Sequence, residues 1–109
     1  MISQQFHELA LSFPGTEDNP HFDRTAYKVT GKKIFASLHE ESQSANLKLS
    51  VAEQAIFSEF DKTIVYPVPN KFGLQGWTTF ELKDVTIELI KEALHSAYKE
   101  VFVATSRKK

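Results

Sequence analysis

Cysteine is absent from the chain, which excludes disulfides, thiolate metal sites and a cysteine nucleophile. Four glycines and four prolines are too few for a flexible linker or a low-complexity segment. No apolar run approaches the roughly 20 residues of a membrane span, and the opening Met1-Ile2-Ser3-Gln4-Gln5 has no basic region of a signal peptide. A cytoplasmic, non-membrane protein is the expectation. Neither sign of charge dominates: thirteen basic residues against fourteen acidic ones leave a net charge of −1. That balance excludes a protein working mainly as a basic glove on nucleic acid.

What is present is core material. Hydrophobic residues make up 41% of the 109 positions, with nine Phe, three Tyr and one Trp. A chain of this length holds one domain, 1–109, with enough buried surface to fold unaided. Charge is distributed unevenly: 25–49 and 83–109 carry a basic excess, while 1–24 and 50–82 are acidic.

The spacing predicts an α+β order of α-β-β-β-α-β-β-α, with an antiparallel sheet of about five strands. Ile2, Phe6, Leu9, Ala10 and Phe13 recur at helical spacing after Ser3, and Pro14-Gly15 stops the helix. Residues 16–23 read as a polar loop held to the core by Phe22. From Thr25 the period falls to two, and Gly31-Lys32 reads as a tight hairpin turn between 25–30 and 33–39. That turn sets Val29 against Ile34, Lys28 against Phe35 and Tyr27 against Ala36. A third strand follows at Ala45 to Leu49.

Ser50-Val51-Ala52-Glu53 has the form of a capping box, opening a short helix expected to offer Ala52, Ile56 and Phe60 to the core. Thr63 to Tyr66 reads as a fourth strand, Pro67 to Gln75 as the longest flexible segment, and Gly76 to Leu82 as a fifth strand. Asp84 is the expected cap of a last helix running to about Val103. Its inner stripe is Ile87, Ile90, Leu94, Ala97 and Val101, and Arg107-Lys108-Lys109 forms a basic end.

Signals for catalysis are weak. His7, His21, His39 and His95 are scattered, without metal-ligand spacing, and Glu17, Asp18 and Asp23 lack the alternation of a calcium loop. No serine lies in a nucleophile elbow, and neither Gly31-Lys32 nor Gly73-Leu74-Gln75-Gly76 opens a phosphate-binding helix. The expectation is a non-enzyme with no cofactor and no metal. More informative is the second face of the sheet, where the register gathers Lys28, Phe35, His39, Lys48, Trp77 and Thr79. Aromatic groups among lysines suit nucleic acid, because rings stack on bases and lysines neutralise phosphate. The competing reading makes Phe35 and Trp77 a second core layer.

Taken in order, Phe13-Pro14-Gly15, Lys28-Val29, Gly31-Lys32-Lys33-Ile34-Phe35-Ala36, Leu47-Lys48-Leu49, Gly76-Trp77 and Ser96-Ala97-Tyr98 resemble the MmcQ/YjbR-like family over essentially the whole chain. The resemblance implies a compact double-wing α+β fold, similar to the frataxin-like fold, and a DNA-binding role. Lys28, Lys32, Lys33 and Lys48 would then meet phosphate, while Phe35 and Trp77 would stack or wedge. Any such binding is expected to be weak and salt-sensitive. With only Arg24 and Arg107 as arginines, the chain is poorly equipped for bidentate reading of guanine. The alternative is a protein-interaction or small-ligand domain that uses 67–77 and the apolar sheet face. The expected state is a monomer or a weak dimer.

Overall fold

The computed structural model describes residues 3–107, and for 103–107 the backbone alone. Ile2, Lys108 and Lys109 therefore lie outside the described residues. The order is α1 (Ser3–Leu11), β1 (Thr16–His21), β2 (Arg24–Val29), β3 (Ile34–His39), β4 (Ser44–Lys48), α2 (Val51–Ser58), β5 (Val65–Pro67), α3 (Lys71–Leu74), β6 (Trp77–Glu81) and α4 (Ile87–Arg107). All pairings are antiparallel, in the order β1-β2-β3-β4-β6-β5. The α+β architecture is as expected, with one more strand and one more helical turn.

The added strand is β1, read from the sequence as a loop. Its residues pair from Thr16 with Val29 to His21 with Arg24, at the edge of the sheet. An edge strand that buries little needs no alternation of apolar residues, and Pro20 with acidic neighbours suits an edge closed to further pairing. Phe22 does not anchor this segment. It is 95% exposed, in the turn to β2, at φ 61°.

The β2–β3 hairpin corrects a second expectation. The Lys32 N–H donates to the Val29 carbonyl at 2.7 Å, and Gly31 takes φ 80°. Thr30 and Gly31 thus form the centre of the turn, one residue earlier than Gly31-Lys32. That placement fits a type II turn, whose third position needs a positive φ. Tyr27 still pairs with Ala36, but Lys28 pairs with Ile34, so Phe35 is an extra residue in a β-bulge. The bulge restores the phase further along and turns Phe35 into the core.

Register then builds two buried rows across the sheet: Tyr27, Ala36, Leu47 and Thr78, and beside it Leu38, Ala45, Phe80 and Val65. Phe6 and Ala10 from α1 and Ile90, Leu94, Ala97 and Val101 from α4 close over this face. On α4 the Thr86 hydroxyl, not Asp84, caps the start by accepting the Leu89 N–H at 3.1 Å, and Ile87 is left partly exposed. The Ser50–Glu53 capping box forms as expected, the Glu53 N–H donating to Ser50 Oγ at 3.1 Å. The face of α2 is reversed, however. Gln54 is buried and Phe57 packs on the core, while Ala52, Ile56 and Phe60 are exposed.

Candidate functional site

The opposite face of the sheet carries the row Ala26, Ser37, Asn46, Thr79 and Tyr66, polar apart from Ala26. Strand alternation puts Lys28 and Trp77 on this side, and Lys48 pairs directly with Trp77. The row is internally bonded: Thr79 Oγ1 donates to Asn46 Oδ1 at 2.7 Å, and Arg24 Nε donates to Ser37 Oγ at 2.9 Å. Burial pulls the Arg24 guanidinium below its ordinary pKa, with Asp23 opposing the shift. Tyr66 donates to Glu81, and that bond, with some burial and the neighbouring negative charge, pushes the phenol up to about 12.

The six residues expected to meet nucleic acid do not form one surface. Phe35 is fully buried, edge-on to Phe13 at 6.4 Å and to Tyr98 at 5.7 Å between centroids. It offers no stacking platform, because the bulge has rotated it away from the open face. Lys48 is engaged: its ammonium donates to the Leu49 carbonyl at 3.1 Å and lies 3.8 Å from Glu100 of α4. Trp77 is half-buried, with its carbonyl taking hydrogen bonds from Gln54 Nε2 and the Val68 N–H, both at 3.0 Å.

The remaining three lysines are near neighbours in sequence. Lys28, Lys32 and Lys33 lie on or beside the β2–β3 turn, and a side chain added at Gly31 would meet nothing within 4 Å. Lys33 is exposed, and the Lys32 ammonium sits 4.8 Å from the centroid of the Phe102 ring. That cation–π contact brings the hairpin tip to the C-terminal part of α4, which runs on to Arg107.

At the other end of the sheet the pairing assembles side chains whose spacing in sequence carries no signal. His39 Nε2 is 2.8 Å from Asp23 Oδ2, and His39 Nδ1 is 2.6 Å from Ser42 Oγ. Acid, imidazole and hydroxyl follow the order of a serine hydrolase relay. Yet Nδ1 also accepts the Ser42 N–H at 3.3 Å, and Ser42 Oγ contacts Ser44 Oγ at 2.7 Å. The nitrogen that a nucleophile needs as its base is already closing the turn. The chain of bonds is a clasp joining the β1–β2 and β3–β4 turns.

The His39 hydrogen bond leads the effects that hold the Asp23 carboxyl below its ordinary range. A depressed folded value means that the contribution is fully present above the unfolded Asp value of about 3.9 and is lost as pH falls through the folded one. Wild type is accordingly expected to melt higher than Asp23→Asn near neutrality, with the gap closing in acid. Melting temperatures of both proteins across pH check this, and a gap that persists in acid would count against the clasp. Among the described residues, no group of three or more His, Cys, Asp or Glu is placed to hold a metal ion. His7 binds the Tyr27 hydroxyl at 2.8 Å, and His95 stacks on Phe13 at 6.3 Å.

The segment 67–77 is structured rather than a free loop. Asn70 Oδ1 accepts the Phe72 N–H at 2.9 Å to cap α3, and Gln54 Nε2 ties the helix to α2 through the Gly73 carbonyl at 2.9 Å. Phe72 and Leu74 remain exposed. No described helix is long and apolar enough to cross a membrane.

A family model described as YjbR matches residues 11–100. A Deinococcus radiodurans protein of known structure superposes with a TM-score of 0.76 at 16% identity, over 98% of this chain and 80% of that one. A Pseudomonas syringae protein does so with a TM-score of 0.70 at 16% identity, over 93% of this chain and 99% of that one. At such identity these likenesses concern the fold. No curated protein matches the chain.

Proposed function

The chain belongs to the YjbR family, and from that membership and the lysines at the β2–β3 turn we propose that it is a non-enzymatic binding domain whose ligand is DNA. The supporting observation is the contact of Lys32 with Phe102, which sets the β2–β3 turn against the C-terminal part of α4. Lys32 and Lys33 supply phosphate contacts from the turn and Lys28 from the adjoining end of β2, and Arg107-Lys108-Lys109 add basic charge in sequence. Lys48 is neutralised by Glu100 and Phe35 is internal, so neither belongs to this surface. Recognition is of the backbone rather than of bases, since point charges without a bidentate fork carry little sequence information.

Fluorescence polarisation with a labelled duplex, titrated with salt, tests the reading. Affinity is expected to fall with a slope of about −0.9 per phosphate neutralised, and Lys32→Glu with Lys33→Glu to make that slope shallower by about two units. Affinity should drop at least about tenfold, because two attractive charges become repulsive ones. Absence of binding to duplex at low salt, or a double variant that binds like wild type, would defeat the proposal.

A further inference from the structure

The first turn of α2 and the middle of α4 border a half-open cleft of about 200 Å³, lined by Glu53, His95, Ser96, Lys99 and Glu100. The four from α4 follow the spacing i, i+1, i+4 and i+5, so they form one stripe of that helix. The stripe runs beside the buried Leu94, Ala97 and Val101, which places a polar groove directly against the core. It includes no residue of the β2–β3 turn. Its volume lies below the roughly 300–1,000 Å³ of pockets for drug-sized ligands, which restricts an occupant to a small molecule.

Most of the lining is held by partners outside the cleft. Ser50 Oγ donates to Glu53 Oε1 at 3.3 Å within the capping box, so that carboxylate is fixed by the start of its own helix. The Lys48 ammonium lies 3.8 Å from Glu100 and offsets its charge. His95 stacks on Phe13, with centroids 6.3 Å apart. What remains is one carboxylate from α2 and one ammonium from α4. Glu53 and Lys99 line the same cleft, yet among the described residues the ion pairs are Asp23–His39 and Lys48–Glu100. Opposite charges that border one space without closing on each other complement a molecule carrying both signs. A simple anion is repelled by Glu53 and a simple cation by Lys99, whereas a zwitterion is attracted at both ends.

We propose that this cleft is a binding site for a free α-amino acid, its ammonium toward Glu53 and its carboxylate toward Lys99, with Ser96 and His95 beside its side chain. None of the lysines assigned to DNA takes part, and the experiment contains no DNA, so either proposal can fail alone. Each of the common amino acids is titrated into isotope-labelled protein, to about 10 mM or its solubility limit, while the amide signals of Glu53 and of 95–100 are followed. At least one is expected to saturate with a Kd of about 1 mM or tighter. Its N-acetyl and amide derivatives, which keep one charge each, should bind at least about tenfold more weakly. Glu53→Gln, which preserves the capping box, and Lys99→Gln should each weaken binding by at least about tenfold as well. Glu59→Gln, the same change at the far end of α2, should leave it unaltered. Failure of every amino acid to saturate, or equal binding of the singly charged derivatives, would overturn the inference. So would a cleft variant that binds like wild type, or an equal loss in Glu59→Gln.

Discussion

Phe35→Ala is expected to lower the unfolding free energy by about 3–5 kcal/mol, the range for removing a large aromatic side chain from a packed core. The ring is fully buried and meets Phe13 and Tyr98 edge-on, so its loss removes apolar burial and two aromatic contacts together. Its cavity sits under the bulge, where strand and helix are both fixed by other bonds. Tyr98, for instance, donates to the Pro14 carbonyl at 2.7 Å and has little freedom to collapse inward. Urea denaturation gives the difference at an unchanged m-value. Phe35→Leu, which keeps most of the volume, should cost less and leave DNA affinity at the wild-type level. A loss below about 1 kcal/mol for Phe35→Ala would contradict core packing at this position. Reduced DNA affinity in folded Phe35→Leu would instead return the ring to the binding surface.

Gly76→Ala should be at least as damaging, for a different reason. Gly76 has φ 110°, and a Cβ placed on it would lie 1.9 Å from the Leu49 carbonyl oxygen. That oxygen belongs to backbone and cannot rotate aside. The Leu49 N–H also donates to the Gly76 carbonyl at 3.1 Å, so the clash strikes where β4 and β6 are held together. Strain and a broken buried hydrogen bond together predict a loss above about 3 kcal/mol. Gly31→Ala is the matched control: φ is again positive, at 80°, but open space surrounds the site. Only the backbone penalty of about 1–2 kcal/mol applies there. Thermal denaturation of the two variants separates the effects, and equal losses would show that contact with Leu49 contributes nothing.

The legibility of particular elements follows from how local their causes are. The Ser50–Glu53 capping box was readable because both partners lie within one turn of helix. Which face of that helix points inward was not, since Gln54 is buried by bonds to Gly73 and Trp77, nineteen and twenty-three residues away. The β1 strand escaped because an exposed edge imposes no period on its residues. The hairpin was correctly placed, but moving its turn by one residue, absorbed by a bulge, reversed the fate of Phe35. Of the candidate surface, the lysines around Gly31 could be read from the sequence. The capture of Lys48 by Glu100 and the approach of Lys32 to Phe102 depend on where α4 lies. The Asp23–His39–Ser42 clasp likewise forms only when two hairpins are brought side by side.

Residue order alone carried the α+β class, the absence of thiols, the near-balanced charge and the succession of a helix, alternating strands and a last helix. Composition, period and capping residues act over a few positions, so each is fully expressed in the order of residues. Which aromatic residues are core, which lysines are engaged, and that α2 turns its apolar side outward emerged from the folded arrangement. Those outcomes depend on register and on packing between segments distant in the chain. A shift of one residue in either moves a side chain from the surface to the interior.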